Sequence, residues 1–596
     1  MDKRWVIKER GDPNQVLELS RALNINTLLA NLLVQRGVTN FDEARTFFRP
    51  KLTQLHDPFL MKDMDRAVER IEMAIRHREK ILVYGDYDVD GTTAVALVYT
   101  FFISIYKDID FYIPDRYSEG YGVSKAGIDF AYENGFTLVI ALDCGIKAIE
   151  NIQYARNLGI DFIIGDHHRP GETLPPAFAI LDPKRPDCNY PYKELSGCGL
   201  GFKLVQAFSR KNHMPFKRLE KFLDLVVVSI ASDIVPITGE NRILAYYGLK
   251  LLNSNPRPGF TAILHYSNIK KKTEAQYIDE EYAFDRKLTI SDLVFLIGPR
   301  INAAGRMESG RNSVELLISK NIETAIEKAV QINQFNTERR NLDAQVTQQA
   351  LEILANDSDH QKRKTTIVYN PGWHKGVLGI VASRLTETYY RPTIILTKSN
   401  GLITGSARSV KDFDIYNAID QCFDLLEHFG GHKYAAGLSI RPENFEAFKQ
   451  KFENIVNNTI DERMLVPEIE IDSKIKLNNI STKFYKILKQ FAPFGPENMS
   501  PVFMTEGVVD TGFASIVGKN HLKLSVIHPD ISGFPVAAIA FQQGNKLPIV
   551  QSGRPFTICY HIEENEWNGH ISLQLNIKDI VPWEETDDYL KGAYYL

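Results

Sequence analysis

The sequence predicts an α/β protein of several domains: a parallel-sheet lobe and a second α/β lobe joined by a long helix, followed by a C-terminal β-barrel. Short apolar runs of β-strand type alternate with helical segments from about residue 64 to 318, and again from 365 to 460. After about residue 461 such runs are separated by turns instead. The 596 residues are too many for one hydrophobic core, so roughly three to five domains are expected.

The N-terminal region, residues 1–60, is predicted to form a helical cap. Leucines recur there at helical spacing between residues 16 and 48, and no cluster of metal-ligand residues accompanies them. The next domain, residues 61–320, is predicted to contain the parallel sheet, because its strands alternate with helices and functional groups then lie at the carboxyl ends of the strands. The predicted strands are Ile81–Tyr84, Phe111–Ile113, Leu138–Leu142, Phe162–Ile164 and Phe178–Leu181.

A connecting helix is predicted within residues 321–360, because the segment Ile322–Ala355 is charged, rich in Gln and free of Gly and Pro. Residues 361–460 then form the second α/β lobe, with a strand at Thr365–Tyr369, a helix after Gly376, a strand at Thr393–Leu396 and Gly-rich turns at 401–405 and 430–431. Residues 461–596 are predicted to form a small barrel of the oligonucleotide-binding kind. Its predicted strands are Pro501–Met504, Leu522–Val526, Val536–Phe541 and Ile571–Leu575.

The composition excludes several classes of protein. Hydrophobic residues make up 44% and charged residues 24%, and no apolar run approaches the roughly 20 residues of a membrane helix. The start of the chain lacks an apolar secretory core, so a cytoplasmic location without a membrane is expected. Five scattered cysteines support neither a disulfide framework nor a zinc ribbon. The net charge of −4 implies no partner, so any nucleic-acid surface must be local.

Acidic and histidine residues follow three of the predicted strands. They are Asp86, Asp88 and Asp90, then Asp143, then Asp166 with His167 and His168. Carboxylates are the ligands that hard divalent cations prefer, and a binuclear site needs ligands that can bridge two ions. The clusters therefore predict a metal-dependent hydrolase that acts on phosphate esters.

One of these clusters constrains the backbone. In an extended strand Asp86 and Asp90 would lie roughly 13 Å apart, whereas hydrolytic metal pairs are about 3.5–4 Å apart. The segment must therefore curl, and Gly91 followed by helix formers permits a turn into a helix. Any one cluster alone could be a helix cap or a solvated loop, but three coincident clusters make that interpretation improbable. Asp233, after the apolar stretch 223–230, is a weak fourth candidate by itself.

Four motifs resemble those of the DHH phosphoesterase superfamily: DYDVDG at 86–91, LDCGI at 142–146, GDHHRP at 165–170 and ASDIVP at 231–236. Three further motifs resemble the RecJ family of single-stranded-DNA-specific exonucleases within it: GPRINAAGR at 298–306, GSAR at 405–408 and GGHKYAAG at 430–437. The resemblance covers nearly the whole chain. It implies a DHH-type catalytic domain at 61–320, a DHH-associated substrate-binding domain at 361–460 and an OB-like nucleic-acid-binding domain at 461–596.

The resemblance also implies roles for individual residues. Asp88, Asp90, Asp143, His167 and Asp233 are the implied ligands of two Mn²⁺ or Mg²⁺ ions, with Asp143 as the bridging carboxylate. Mn²⁺ is favoured by the mixture of carboxylate and imidazole. Asp86 and His168 are implied in the same centre, as ligands, as partners of ligands or as phosphate contacts, and the sequence leaves these alternatives open.

Substrate contacts are implied in both lobes. Arg116, Tyr121, Arg300, Asn302 and Arg306 belong to segments that resemble the strand-binding and 5′-phosphate-binding loops of the family, although exposed arginines are the ordinary alternative. In the second lobe, Ser406, Arg408, Gly431 and His432 are candidates for phosphate binding, because a Gly-rich turn offers backbone N–H groups and Arg a two-pronged donor. A plain turn with a solvated Arg, and a tight connection with a structural His432, are the alternatives.

The activity that the resemblance implies is processive 5′→3′ hydrolysis of single-stranded DNA to mononucleotides, in DNA repair and recombination. A cleft between two lobes would admit one strand, and the barrel would add aromatic stacking, for which Phe491, Phe494 and Phe503 are candidates, although aromatic residues are more often part of a core. Implied partners are single-stranded DNA, single-strand-binding protein and a RecQ-type helicase, with the chain acting as a monomer. Alternatives are a hydrolase of pyrophosphate, short oligoribonucleotides or cyclic dinucleotides, and a non-catalytic scaffold, which would require lost ligands.

Overall fold

The computed structural model describes residues 3–273, 282–530, 533–567 and 570–591. The chain forms two compact units. We call the first the parallel-sheet unit, which consists of Arg45–Arg339 and Phe491–Met499. We call the second the barrel unit, which consists of Met1–Ala44, Arg340–Gln490 and Ser500–Leu596. The predicted domain boundaries stay predictions, whereas the predicted fold class is confirmed element by element.

The parallel-sheet unit is built on five parallel strands, as the sequence predicts. In spatial order they are Ile109–Tyr112, Lys80–Gly85, Phe136–Leu142, Asp161–Gly165 and Ala179–Leu181. Successive side chains of one strand enter different hydrophobic cores: Ile81 and Val83 belong to one, Leu82 and Tyr84 to the other. The sheet is therefore covered on both faces, which explains why its strands are apolar throughout.

Helices supply both covering layers of this sheet. The helices in contact with its strands are Met64–His77, Val89–Ile103, Lys125–Glu133, Ile149–Asn157 and Gly197–Lys211. The other described helices of the unit are Lys217–Glu220, Leu223–Ser232, Gly239–Ser254, Pro258–His265, Ile290–Asp292, Gly298–Met307 and Arg311–Leu317, with a π-helical turn at Leu293–Ile297. The predicted connecting helix is confirmed as Ile322–Ala355, and the boundary between the two units falls inside it, between Arg339 and Arg340.

The barrel unit contains the second α/β sheet. Its five strands lie in the order Leu426–His432, Ala435–Ile440, Leu402–Arg408, Thr393–Ser399 and Thr366–Tyr369. The helices packed in this region are Leu378–Tyr389, Ile415–Asp420 and Phe445–Thr459. The expectation of Gly-rich turns at 401–405 and 430–431 is wrong for most of these residues, because they continue into strands. A Cβ on Gly405 would lie 2.4 Å from the carbonyl oxygen of Ile395, so this glycine allows close approach of two strands.

A seven-stranded sheet forms the predicted barrel. Its strands are ordered Ser473–Lys474, Phe503–Asp510, Phe556–Trp567, His570–Pro582, Val536–Ala540, His521–Ile527 and Ser515–Val517. The strand Phe503–Asp510 also pairs with His521–Ile527, which closes the sheet on itself. The short helices of this region are Thr482–Leu488, Leu547–Gln551 and Thr586–Lys591.

The N-terminal region contains the predicted helices at Pro13–Leu23, Thr27–Val34 and Phe41–Phe48. A strand that the sequence analysis missed precedes them: Arg4–Ile7 pairs in parallel with Glu468–Ile471. This strand has only four residues, and its partner lies more than 460 residues away in the chain, so the local sequence does not indicate it. Among the described residues, no helix combines the length and the apolarity needed to cross a bilayer.

Two of the three proposed stacking aromatics belong to the interior. Phe491 is buried, and its ring lies 5.5 Å from that of Phe47 and 5.4 Å from that of Phe48. Phe503 is buried beneath Phe484 and Tyr560. A ring that is packed inside the core cannot stack on a base. The expectation that Phe491 and Phe503 stack on bases is therefore wrong.

Candidate metal centre

The register of the parallel sheet aligns the ends of four strands. Gly85 is paired with Leu142, Leu142 with Gly165, and Gly165 with Leu181. The residue that follows each strand end is an aspartate: Asp86, Asp143, Asp166 and Asp182. Four carboxylates therefore leave the sheet side by side at its carboxyl edge, where ligands bind in open α/β folds.

The backbone after Asp86 curls in the way that the sequence analysis requires. Asp88 is the N-cap of the helix Val89–Ile103, and its carboxylate accepts a hydrogen bond of 3.0 Å from the N–H of Gly91. Asp90 lies in the first turn. A Cβ on Gly91 would lie 2.4 Å from the carbonyl oxygen of Asp86, so the tight turn requires glycine. The three carboxylates thus leave a turn and not an extended strand.

Asp90 is fixed by three buried donors. Its carboxylate accepts hydrogen bonds from the N–H of Gly197 at 2.7 Å and of Cys198 at 2.8 Å, both in the first turn of a helix. The hydroxyl of Ser229 donates a third bond at 2.6 Å. These three donors, two of them at a helix N-terminus, fix the orientation of the Asp90 carboxylate.

Two residues of the centre have unusual backbone angles. Asp143 has φ of +60° and Ile234, which follows Asp233, has φ of +59°. Asp tolerates this left-handed region, but a β-branched residue there is strained. Ile234 is also 64% exposed, so burial of its side chain does not compensate for the strain. The strain is consistent with a backbone that is shaped to present the carboxylates of Asp143 and Asp233.

One imidazole nitrogen lies at the centre of the carboxylates. Nε2 of His167 is 3.1 Å from Oδ1 of Asp143, 3.5 Å from Oδ2 of Asp233 and 3.6 Å from Oδ2 of Asp90. Among the described residues, neither nitrogen of His167 nor Oδ1 of Asp143 has a hydrogen-bond partner, and the same holds for both carboxylate oxygens of Asp86. Buried polar atoms are normally paired, so this convergence needs an explanation.

The pKa shifts of the converging side chains also indicate a site for cations. Burial, followed by repulsion from neighbouring carboxylates, raises the pKa of Asp86, Asp88, Asp143 and Asp233 above the ordinary value of Asp. Burial lowers the pKa of His167, which leaves a neutral ring with a free lone pair. The ligand atoms of Asp90, His167 and Asp233 lie within 4.8 Å of one another, as do those of Asp143, His167 and His168. This donor set fits divalent cations, whose charge would offset the repulsion.

His168 has a different environment. Its Nδ1 lies 2.8 Å from Oδ1 of Asp166, and Oδ2 of Asp166 accepts a hydrogen bond of 2.9 Å from the N–H of Ile146. Burial opposes ionisation of both groups, but the hydrogen bonds outweigh it, lowering the pKa of Asp166 to about 2 and raising the pKa of His168 to about 9. Asp166 is therefore occupied in orienting His168, whose Nε2 lies 3.4 Å from the hydroxyl of Tyr121.

The candidate substrate residues of this unit occupy a loop and a helix. The guanidinium of Arg116 lies 4.8 Å from the centre of the Tyr87 ring. Arg300, Asn302 and Arg306 lie on the helix Gly298–Met307, so their assignment to loops is wrong. The guanidinium of Arg300 donates to two backbone carbonyl oxygens, at 2.8 Å and 3.0 Å, and to the Asn333 side chain.

The remaining candidates are neighbours within the second sheet. Arg408 is paired with Ala435, which is paired with His432, and Ala407 is paired with Ala436, which is paired with Gly431. The guanidinium of Arg408 donates a hydrogen bond of 2.8 Å to the hydroxyl of Ser406. The expectation of a turn with available N–H groups at 405–408 is wrong, because this strand lies between two others and its backbone groups serve their ladders.

The sequence analysis missed several residues that shape the centre. Asp182 obeys the strand-end rule, and burial together with the charge of Asp166 raises its pKa to about 7. Ser229 and Gly197 position Asp90 from distant segments. A strand-end aspartate is visible in sequence, so Asp182 could have been found. The other two act only through the tertiary fold, which leaves no local signal.

Three family models match the chain: the DHH family N-terminal domain at residues 80–230, the DHHA1 domain at 361–458 and the RecJ OB domain at 471–579. Together with the strand-end acids, they define the class as a phosphoesterase of the DHH superfamily. Curated relatives narrow it further. A single-stranded-DNA-specific exonuclease RecJ of Bacillus subtilis (strain 168) is 35% identical, over 98% of this chain and 72% of that protein.

The RecJ exonuclease of Haemophilus influenzae is 32% identical over 97% of this chain and 100% of its own length. Among solved structures, RecJ from Thermus thermophilus in complex with Mn²⁺ matches with a TM-score of 0.79 and 25% identity, over 97% of this chain and 79% of that chain. An exonuclease RecJ bound to manganese matches with a TM-score of 0.57 and 28% identity, over 69% of this chain and 97% of that chain. The chain belongs to the RecJ family.

Proposed function

We propose that this chain is a metal-dependent exonuclease that hydrolyses single-stranded DNA 5′→3′ to mononucleotides, in DNA repair and recombination. The observation that carries the proposal is the convergence of the buried Asp90 and Asp143 and the half-buried Asp233 on Nε2 of His167, with distances of 3.1 to 3.6 Å. Such a set of converging carboxylate and imidazole atoms fits Mn²⁺ or Mg²⁺. Membership of a family whose curated members are named single-stranded-DNA-specific exonucleases supports the substrate.

The proposed ligands of two ions are Asp86, Asp88, Asp90, Asp143, His167 and Asp233, with Asp143 as the bridging residue. Bound ions would lower the pKa of a water molecule and stabilise the charge that develops on the phosphodiester oxygens. The chain contributes preorganisation: the donors around Asp90 fix one carboxylate, and burial keeps His167 neutral and able to bind a cation. Asp86 would contribute buried carboxylate oxygens to such a cation.

The chemical step replaces one P–O bond by another. The oxygen of water attacks the phosphorus between the first two nucleotides, and the bond from phosphorus to the 3′ oxygen breaks. The attacking water gives up a proton and the 3′ oxygen takes one up, so a mononucleotide with a free 3′ hydroxyl leaves and the shortened strand keeps the phosphate. We propose that protonated His168 contacts the reacting phosphate. Nδ1 of His168 lies 2.8 Å from Oδ1 of Asp166, and this contact favours the protonated ring.

Substrate-holding residues are proposed in both units. In the parallel-sheet unit they are Arg116, Tyr121, Arg300, Asn302 and Arg306, and in the barrel unit they are Ser406, Arg408, Gly431 and His432. By register Ser406, Arg408 and His432 lie on one face of the sheet, next to Gly431 in the chain, which suits a terminal phosphate. Because Phe491 and Phe503 are buried, we propose that Phe513 and Phe541 of the barrel, which are 77% and 50% exposed, stack on the bases instead.

We further propose that the protein acts as a monomer in the cytoplasm, with single-strand-binding protein and a RecQ-type helicase as partners. The family resemblance of the sequence supports these assignments. It likewise supports the domain boundaries at residues 60, 320, 360 and 460.

The test compares 5′-labelled with 3′-labelled single-stranded DNA on a denaturing gel, with Mn²⁺, a duplex control and the Asp90→Ala variant. We expect immediate release of labelled mononucleotide from the 5′ label and progressive shortening of the 3′-labelled strand. The duplex and the variant should be inert. Intact DNA, together with turnover of pyrophosphate or a dinucleotide, would retain the metal centre and overturn the substrate.

A further inference from the structure

Tyr121 reaches the metal centre from a loop whose backbone is unusual. The loop, residues 114–123, connects the strand Ile109–Tyr112 to the helix Lys125–Glu133. Gly120 and Gly122, on either side of Tyr121, have φ of +85° and +86°. The side chain of Tyr121 is 56% exposed, so little burial holds it in place. Something else in the loop must therefore set its position.

The contacts of Tyr121 show what that position serves. Its hydroxyl lies 3.2 Å from the carbonyl oxygen of Asp143 and 3.4 Å from Nε2 of His168. Its ring packs against the rings of His168 and Tyr87, at 6.0 Å and 6.4 Å between centroids. Tyr121 thus contacts two of the strand ends that carry the proposed ligands, together with His168.

Glu119, two residues earlier, is bonded at both ends of the loop. One carboxylate oxygen accepts hydrogen bonds from the N–H of Asp115 at 2.8 Å and from the hydroxyl of Tyr112 at 3.0 Å. The other oxygen accepts a bond from the hydroxyl of Ser124. One side chain thereby joins Asp115, near the start of the loop, to Ser124, which directly follows it.

The groups that Glu119 binds belong to rigid elements. Ser124 is the N-cap of the helix Lys125–Glu133 and accepts a hydrogen bond of 2.9 Å from the N–H of Gly127. Tyr112 is in a sheet strand, and its ring stacks on that of Tyr84 at 5.4 Å. The hydroxyl of Tyr84 in turn donates 2.9 Å to the carbonyl oxygen of Gly122. The loop is therefore held to the sheet and to the helix through Glu119 and Tyr84.

We propose that Glu119 is a positioning residue of the exonuclease, which places Tyr121 against His168 and the strand end at Asp143. The inference rests on the proposed function. Glu119 itself contacts none of the proposed ligands or His168 among its described hydrogen bonds, so it acts through the loop. Displacing a contact residue by about 1 Å can lower a rate by up to roughly 100-fold.

The experiment is a double-mutant cycle on cleavage of 5′-phosphorylated single-stranded DNA with Mn²⁺. The variants are Glu119→Ala, Tyr121→Ala and the double variant, with Glu133→Ala as a control at an exposed position of the following helix. We expect Glu119→Ala and Tyr121→Ala each to lower kcat/KM roughly 10- to 100-fold, and the double variant to lose no more than Tyr121→Ala. Glu119→Gln, which keeps the shape and one acceptor oxygen, should recover most of the activity.

The outcomes separate the inference from the function. Losses that add in the double variant, or a Glu119→Ala enzyme as active as Glu133→Ala, would overturn the assignment of Glu119 while leaving the exonuclease intact. A loss for Glu119→Ala that is matched by a fall in thermal stability and by lower folded content would assign it to the fold alone and also overturn the inference. A wild-type chain that leaves every DNA intact would overturn the proposed function instead.

Discussion

The carboxyl edge of the parallel sheet and the phosphate-binding candidates of the second sheet are built in opposite ways. At the sheet edge, Asp86 and Asp143 carry buried oxygens without a partner among the described residues, and Asp143 has a left-handed backbone. In the second sheet, Arg408 and Ser406 are hydrogen-bonded to each other and lie in a regular, fully paired strand. The first region is under electrostatic and conformational strain without cations, and the second is not.

This difference indicates that the sheet edge is built to bind cations and the second sheet to bind phosphate. A cluster of like charges destabilises the fold, and such clusters persist where function requires them. A surface that binds phosphate needs only donors at the right spacing, which a sheet supplies without strain. Variants at the sheet edge should therefore separate stability from activity, whereas variants in the second sheet should change substrate binding alone.

The largest effect is expected from Asp143→Asn. The amide keeps the shape and tolerates the left-handed backbone but removes one charge, so cleavage should fall below detection. Without metal the variant should be more stable, because repulsion with the neighbouring carboxylates is relieved. A gain of about 1 kcal/mol in the free energy of unfolding corresponds to a Tm rise of roughly 2–4 °C in a domain of about 150–250 residues.

Cleavage assays and thermal unfolding in EDTA measure both parts. Asp108→Asn is the matched control, because Asp108 is exposed and precedes a strand of the same sheet at its amino end. It should leave both quantities unchanged. An Asp143→Asn chain that still cleaves DNA would remove Asp143 from the centre, and a lower Tm in EDTA would contradict the strain argument.

Gly197→Ala should give the next largest effect. A Cβ at this position would lie 2.6 Å from Cβ of Asp143, and the N–H of Gly197 binds Asp90. The added methyl group should displace both carboxylates, with a loss of metal affinity and activity of roughly 10- to 100-fold. Gly171→Ala is the control, because its Cβ would meet only the carbonyl oxygen of Thr173, at 3.6 Å. Metal titration followed by cleavage rate is the measurement; equal affinities in the two variants would contradict the packing argument.

The features of the parallel-sheet edge that the sequence predicts are those with a local pattern. The strands, the connecting helix and the strand-end acids follow from apolar runs and from the residue after each run, which are local signals. Asp86, Asp143 and Asp166 were found in this way. The curl at Gly91 followed from the length of an extended segment compared with the separation of a metal pair.

Other features had no local signal. The GSAR and GGH motifs contain glycines of the kind that mark turns, yet they form strands because their neighbours in the sheet are close. The strand Arg4–Ile7 depends on a partner at residues 468–471. The donors that hold Asp90 come from residues 197, 198 and 229, which only the fold assembles. Burial of Phe491 and Phe503 likewise depends on tertiary packing.

Arg408→Ala tests the second sheet. The guanidinium is proposed to bind the terminal phosphate, and loss of a charged hydrogen bond of about 1.5–3 kcal/mol should raise KM roughly 10- to 100-fold for a 5′-phosphorylated strand. Metal affinity should not change. Lys398→Ala, at an exposed position of the adjacent strand Thr393–Ser399, is the control for lost positive charge. An unchanged KM would remove Arg408 from the substrate site.

The smallest effect on catalysis is expected from Arg300→Ala. The guanidinium donates to the carbonyl oxygens of Leu296 and Tyr266 and to the Asn333 side chain, so it already holds the helix Gly298–Met307 in place. Its removal takes one donor away from two part-buried carbonyl groups and should lower the free energy of unfolding by about 1–3 kcal/mol. Chemical denaturation measures this loss, and KM for DNA, measured well below the Tm of the variant, should rise less than it does for Arg408→Ala, because the guanidinium of Arg300 is already bonded within the protein. An unchanged KM would remove Arg300 from the proposed substrate contacts and assign it to the fold alone, whereas a KM as high as that of Arg408→Ala with unchanged stability would contradict its structural role.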